Sequence, residues 1–311
     1  MKPDTIAEAH AARVADADPL IPTMQPLQPS EDRILLTAAA GGSHAAGLAG
    51  LVEHSDQESR SIYHPLREYQ LAVRIAGDQP DAALSALLTQ WDDELAERAE
   101  PGDRESAAVV LRPSRDTAGT AALLEHGFAP IRGIAVRPAD RLGAGSGPTP
   151  GVYVRAAGPE DLPTVTALGM ELLEFDSQFG VVNLREVSEQ MVASMSKGYI
   201  RGEDPSIWIA EVYGQPLGVV TLQLPPSSDW ARPYVAADKV GYINSMAVST
   251  AARGTGVGTA LTAHTHQIFD EAGVDVALLH HALANPRSTP FWYSQGYRPL
   301  WTYWYRRPAV R

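Results

Sequence analysis

Residues 242–269 read YINSMAVSTAARGTGVGTALTAHTHQIF. The first seven predict a short strand over 242–248. A turn-like segment follows, carrying Gly254, Gly256 and Gly258, and then apolar residues at Val257, Ala260, Leu261 and Ile268 recur at helical spacing. The order is strand, glycine loop, helix. Glycines just ahead of a helix let the backbone approach a ligand closely, and the unpaired N–H groups and positive dipole end of that helix favour a phosphate. The stretch therefore reads as a pyrophosphate cradle. Its glycines fall at every second residue, which is not the GxGxxG spacing of a dinucleotide site, and no Lys-Ser/Thr closes it as in a P-loop. A nucleoside triphosphate is disfavoured.

The whole chain narrows the chemistry further. With 311 residues, two domains are the prior expectation. No apolar run is long enough to span a bilayer, and the first residues, MKPDTIAEAHAARVADADP, carry acids where a signal peptide needs an uninterrupted apolar region. The expectation is a cytoplasmic protein with no membrane partner. The chain has no cysteine, which removes disulfides, thiolate metal sites and cysteine nucleophiles together, so any acyl transfer is direct. No metal is expected. Net charge is −12, from 25 Lys+Arg against 37 Asp+Glu, and no basic cluster appears beyond Arg306, Arg307 and Arg311. Nucleic acid is not an expected partner, whereas a cationic acceptor such as an amine agrees with the acidity. A homodimer stays open.

Taken in order, the chain begins with a helical arm that ends in PLIPTMQPLQP. Strands are expected over 33–40 and 48–54, joined by the small-residue loop GGSHAAG, and over 69–76. A helix over 81–99 carries Leu84, Leu87, Leu88, Trp91 and Leu95 on one stripe, with Asp81 as its cap. A strand over 107–111, a helix over 117–126 and a strand after Gly127-Phe128 complete this half. Residues 142–151, LGAGSGPTPG, have the composition of a flexible linker and divide the chain into 1–141 and 152–311. Beyond it come a strand over 152–156, a helix with Glu160 and Asp161 in its first turn, and a second helix over 183–195. A hairpin turning at Gly214 and a long loop over 229–239 with Trp230 and Tyr234 then lead into the opening strand. After the glycine-led helix follow a strand over 274–282, a short helix from Asn285-Pro286, and an aromatic strand over 300–306.

The two halves echo each other. Arg115-Asp116-Thr117 matches Arg287-Ser288-Thr289, and Gly127-Phe128-Ala129-Pro130 matches Gly296-Tyr297-Arg298-Pro299, within the same order of elements. Two copies of one fold is the simplest account.

From Arg253, the hexad RGTGVG fits Arg/Gln-x-x-Gly-x-Gly/Ala, and NPRSTPFWYSQGY, with Asn285, Ser288, Gly296 and Tyr297 on pattern, fits a second motif. Both resemble the signatures of the GNAT superfamily of acyl-CoA-dependent N-acetyltransferases. The resemblance covers the second half from end to end. It implies an α/β (α+β) fold of two tandem GNAT-like domains, each a mixed, bent central sheet flanked by helices, with acetyl-CoA between the fourth and fifth strands of the second. The first half has AGDQPD where the hexad would stand, Leu123 at its tyrosine position, and no clear counterpart of the first strand. It resembles a truncated, degenerate copy that does not bind coenzyme A.

By the same resemblance, a backbone N–H among Met246, Ala247 and Val248 is the oxyanion donor. Arg253, Gly254, Thr255, Gly256, Val257, Gly258 and Thr259 hold the pyrophosphate, and Asn285, Ser288 and Trp292 meet the rest of the cofactor. Asn285 ahead of Pro286 is equally a helix cap. Acetyl transfer to an amine of pKa about 10.4 also needs a base. Where many relatives carry Glu, this chain has Asn244, which takes no proton. The remaining candidates are Glu174, Asp176, His280 and His281, of which the two histidines, adjacent on a strand, face opposite ways. For the leaving thiolate, Trp292 replaces the family's tyrosine and an indole is no acid. Tyr293 and Tyr242 are the other hydroxyls near. The reading is an acetyl-CoA-dependent transfer to a primary amine of a small molecule. An acyl-CoA sensor or scaffold without turnover and an acetyltransferase of protein or peptide amines are the alternatives.

Overall fold

The computed structural model describes residues 2–139, 149–202 and 204–311. In the first half α1 (Pro3–Ala17) precedes β1 (Arg33–Ala40), β2 (Ser43–Glu53), β3 (Arg67–Ala76), α2 (Pro80–Arg98), β4 (Ser106–Pro113), α3 (Thr120–Glu125) and β5 (Ala129–Pro138). In the second come β6 (Val152–Ala156), α4 (Leu162–Asp176), α5 (Ser188–Ile200), β7 (Ile207–Val212), β8 (Gln215–Gln223), β9 (Val240–Val248), α6 (Val257–Glu271), β10 (Val276–Ala282), α7 (Ser288–Ser294) and β11 (Arg298–Arg306). Of the expected linker at 142–151, only the last three residues fall among those described.

The two expected sheets are two arms of one. Strand order is β1-β2-β3-β4-β11-β5-β10-β9-β8-β7-β6. The runs β1 to β4 and β7 to β10 repeat one pattern of two antiparallel pairings and then a parallel one. Among the described residues only the second run has a preceding strand, β6, and two helices, α4 and α5, between that strand and the run. At the centre each half gives its last strand to the other: β11 pairs with β4, β5 pairs with β10, and the two exchanged strands pair with each other. The exchange is energetic as well as topological, because Trp304 of β11 is buried in the first half's core with Trp91 and Phe128. The last two rings stack with centroids 6.0 Å apart.

Local chemistry explains most elements and four corrections. The stripe on α2 packs as expected, with Leu84, Leu87, Leu88, Trp91 and Leu95 all at 2% exposure or less. Asp81 does not cap that helix: Gln79 is its cap residue, Pro80 at the first position lacks an N–H, and Asp81 Oδ1 instead accepts from Ala122 N of α3 at 3.1 Å. The loop GGSHAAG is mostly strand. Gly41 and Gly42, at φ +58° and +78°, make a two-residue turn, and β2 starts at Ser43. Its small residues admit α2, since a Cβ on Gly47 would stand 2.8 Å from Leu71 Cδ1 and 3.0 Å from Leu87 Cδ2. The helix expected at 117–126 shrinks to Thr120–Glu125, because Asp116 is held by Arg112 and Arg13 and Gly119 adopts φ +85° at the cap. The helix expected over 183–195 runs Ser188–Ile200, since Asn183 N binds Ile62 O at 2.7 Å and Arg185 pairs with Glu105 at 3.1 Å, both across to the first half. Among the described residues no helix is long and apolar enough to cross a membrane.

Candidate functional site

The opening stretch folds as read: β9, a glycine loop, then α6. Gly254 and Gly256 have φ +79° and +91°, a backbone region that side-chain-bearing residues rarely enter. Gly256 is the cap residue of α6, leaving the first-turn N–H groups without partners in the helix. Beside them β9 and β10 part. Their parallel pairing runs from Val240 and Val276 to Ile243 and Leu279 and then stops. Past that point β9 carries an irregularity: Ser245 pairs with Thr221 and Ile243 with Leu222, so Asn244 is an extra residue without a rung. A bulge sharpens strand twist, which widens the divergence from β10.

A cavity of about 760 Å³ fills the divergence. Every expected cofactor residue lines it except Thr255, whose Oγ1 bonds Ala252 O at 2.6 Å, and Val257, whose side chain is wholly in the core. The opposite wall is a face of α4, with Leu168, Glu171, Leu172 and Phe175 at helical spacing and Asp176 at its end. Arg253 and Arg287 lie over the Phe175 ring at 5.2 and 4.7 Å from its centroid. Glu171 accepts from Thr250 N at 2.8 Å and pairs with Arg253 at 3.3 Å. Phe175, Glu171, Arg287 and Thr250 were absent from the expected set. The α4 stripe and the place of Arg287 inside the second motif are signals that could have found three of them; Thr250 carries none.

Asn285 serves the start of α7, where its Oδ1 accepts from Arg287 N at 2.9 Å and Ser288 N at 3.0 Å. Its amide nitrogen donates to Asp176 Oδ1 at 2.8 Å. Burial raises the pKa of Asp176, and the bond from Asn285 opposes that without cancelling it.

Of the residues proposed from sequence for proton handling, Asp176 lines this cavity, whereas Glu174, Tyr242, His280, His281 and Tyr293 do not, nor does Asn244. His280 and His281 do face opposite ways. His280 Nδ1 is 2.6 Å from Tyr242 Oη, among Tyr234 and Tyr303. Burial and then the nearby Arg132 charge lower its pKa to about 3, while burial raises that of Tyr242. His281 Nδ1 lies 3.1 Å from Thr289 Oγ1, and burial lowers its pKa to about 4. Neither imidazole can hold a proton near neutrality. Tyr293 packs edge-on against His281, and the Glu174 side chain is exposed.

Asn244 stands elsewhere, exposed although it sits in an interior strand. It ends a chain of hydrogen bonds in which Trp230 Nε1 donates to Gln223 Oε1 at 2.8 Å, Gln223 Nε2 to Tyr199 Oη at 2.9 Å, and Asn244 Nδ2 to the same oxygen at 3.0 Å. That hydroxyl accepts twice, so its own hydrogen is available. Trp230 is 47% exposed, and so is Tyr63 of the first half at 37%. The loop over 229–239 contains a turn of 3₁₀ helix, Asp229–Tyr234.

Residues 172–297 match the family model described as the acetyltransferase (GNAT) family. Comparison with curated proteins returned no match. Among solved structures, a GCN5-related N-acetyltransferase from Sphaerobacter thermophilus is similar with a TM-score of 0.56, at 15% identity over 86% of this chain and 82% of that one. A glucosamine N-acetyltransferase region of a fungal multi-domain β-N-acetylglucosaminidase gives 0.50 at 12% identity, over 98% of this chain and 37% of that one. At such identities the likeness is one of fold.

Proposed function

We propose, from the match of residues 172–297 to the acetyltransferase (GNAT) family model, that this chain moves an acetyl group from acetyl-CoA directly to a primary amine of a small molecule. The observation that carries the proposal is the conjunction of a left-handed glycine cradle at a helix N-terminus with a large cavity in the divergence of β9 and β10. The cradle suits a pyrophosphate, with Arg253 and Arg287 on the same cavity. Met246, Ala247 and Val248 have no strand partner on the β10 side, so a backbone N–H there is free to stabilise a carbonyl oxygen as it gains charge. Bound acetyl-CoA supplies the thioester whose carbonyl carbon the amine attacks.

Asp176 is the group proposed to take the amine's proton. It is the one carboxylate among the candidates that lines the cavity, and its raised pKa makes it a stronger base than an ordinary aspartate. The amine enters from the side of Asn244, where a free hydroxyl hydrogen on Tyr199 and the uncommitted Oδ1 of Asn244 orient it. Asn244 is then a positioning residue and the bulge that holds the gap open.

The test is release of free thiol from acetyl-CoA across a library of small amines, peptides and proteins. Turnover on small amines supports the proposal. Turnover confined to peptides or proteins assigns the acceptor to those instead, and tight coenzyme A binding without turnover on any acceptor makes the chain a sensor.

A further inference from the structure

Three donor side chains converge at the β2–β3 connection, outside the cofactor cavity. His54 follows β2 directly, and its N–H bonds Leu66 O at 2.8 Å, which holds the two ends of the intervening segment side by side. From the other end, His64 Nδ1 reaches Glu68 Oε1 at 2.9 Å. The His54 and His64 rings have centroids 4.9 Å apart. One donor atom from each of His54, His64 and Glu68 lies within 4.8 Å of the other two.

The surroundings suit a cation. Glu68 is 2% exposed, and its carboxylate is oriented by Gln70 Nε2 at 3.1 Å and Tyr305 Oη at 3.2 Å. His54 Nε2 is buried and makes no hydrogen bond. A carboxylate fixed by its neighbours beside an imidazole nitrogen without a partner is an arrangement that a metal ion satisfies. We propose that His54, His64 and Glu68 bind one divalent first-row ion of the zinc type. Imidazole and carboxylate are donors for such ions, and three protein ligands leave a fourth position for water. Bonds of about 2.0 to 2.2 Å place tetrahedral donors roughly 3.5 Å apart, so small side-chain rotations close the observed spread. The expectation of no metal rested on the absence of cysteine, which removes thiolate sites alone.

Placement gives the ion its effect. Tyr63, whose hydroxyl is within electrostatic reach of Asp176 and Tyr199, is the neighbour of His64, and its carbonyl accepts from Arg132. A bound ion pins the connection that presents Tyr63.

The experiment strips the full chain with a chelator and titrates Zn²⁺ against a chromophoric chelator. One equivalent binds, and His54→Ala, His64→Ala and Glu68→Gln each weaken it at least tenfold, whereas His264→Ala on α6 leaves it unchanged. Co²⁺ in place of Zn²⁺ gives the strong visible absorption of a four- or five-coordinate ion, and Zn²⁺ slows tryptic cleavage after exposed Arg60 several-fold. Circular dichroism confirms that each variant is folded. Absence of a stoichiometric equivalent in the unmodified chain, equal affinity in folded Glu68→Gln, or cobalt retaining its pale hexaaquo spectrum overturns the site.

Discussion

Both halves of the molecule end a parallel strand pair by letting the strands diverge, and they treat the divergence in opposite ways. Between β3 and β4 the last rung joins Leu71 and Val110; between β9 and β10 it joins Ile243 and Leu279. Diverging strands leave backbone donors and acceptors that something must satisfy. In the first half α1 does so. Ile75, four residues past the last rung, gives its N–H to His10 Nδ1 at 3.3 Å and its carbonyl to Arg13 Nη1 at 2.8 Å. Arg13 is held in turn by both oxygens of Asp116, which Arg112 grips at 2.8 Å. The corresponding stretch of the second half, Met246, Ala247 and Val248, lines the cavity instead. Two differences accompany the change: β9 carries the bulge at Asn244 where β3 pairs without interruption, and α6 starts from a glycine cradle where the N–H of Gln79, the cap residue of α2, is taken by Ser43 Oγ at 2.7 Å. One fold thus yields a ligand gap or a structural joint, according to what satisfies the same backbone groups.

The largest expected effect comes from closing the open gap. Gly256→Trp puts a side chain on a φ of +91° and a Cβ 2.9 Å from Thr149 Cγ2. Coenzyme A affinity should fall about a thousandfold, ~4 kcal/mol, read by calorimetry on the folded variant. Gly254→Ala, whose added Cβ meets nothing within 4 Å, should lose far less. Unchanged affinity in Gly256→Trp would falsify the cradle.

Next is Asp176→Asn, expected to lower kcat about a hundredfold while coenzyme A affinity holds. In the unmodified enzyme the acid limb of kcat/KM should report a group titrating above the ordinary aspartate range, since burial favours the protonated form and activity needs the ionised one. Activity therefore rises with pH through that value. An acid limb that persists in Asp176→Asn removes the residue from the reaction.

How far the sequence anticipated this comparison depends on the range of the interactions involved. The hexad and the second motif act through local backbone geometry, and the family resemblance they carry implied a set of cofactor residues that lines the cavity, Thr255 and Val257 excepted. The proton-handling residues did not follow in the same way. His280 and His281 look suited to neutral pH until burial is known, and Asp176 gains its character from burial in the folded site, against the opposing bond from Asn285, 109 residues away in sequence. The exchange of β5 and β11 and the role of His10 and Arg13 depend equally on pairings between distant segments. The stretch GGSHAAG failed for another reason: its small residues have low strand propensity, and only the helix packed above them explains their use.

The filled gap predicts a stability effect that leaves cofactor binding alone. Arg13→Met deprives both the Ile75 carbonyl and Asp116 of a donor, which should cost about 2 kcal/mol in urea unfolding. The stoichiometry of coenzyme A should stay at one per chain. A second equivalent in this variant would show that α1 masks a competent site.

The smallest expected effect tests the joint through protons. Burial, with the charges of Arg112, Arg13 and Arg74, lowers the pKa of His10 from 6.5 to about 2. Between those values the unfolded chain binds a proton at this position and the folded one does not, so its contribution to stability is complete above about pH 6.5 and declines as pH falls. His266, His280 and His281 are lowered by burial as well and give the same sign. His10→Asn keeps an oxygen able to accept from Ile75 N but does not titrate. Between pH 6 and 5 its unfolding free energy should therefore depend on pH less steeply than that of the unmodified chain, by about one proton. Equal slopes would mean that His10 is protonated in the folded protein, and an imidazolium cannot accept the Ile75 N–H at Nδ1, so the account of how α1 fills the first gap would fall.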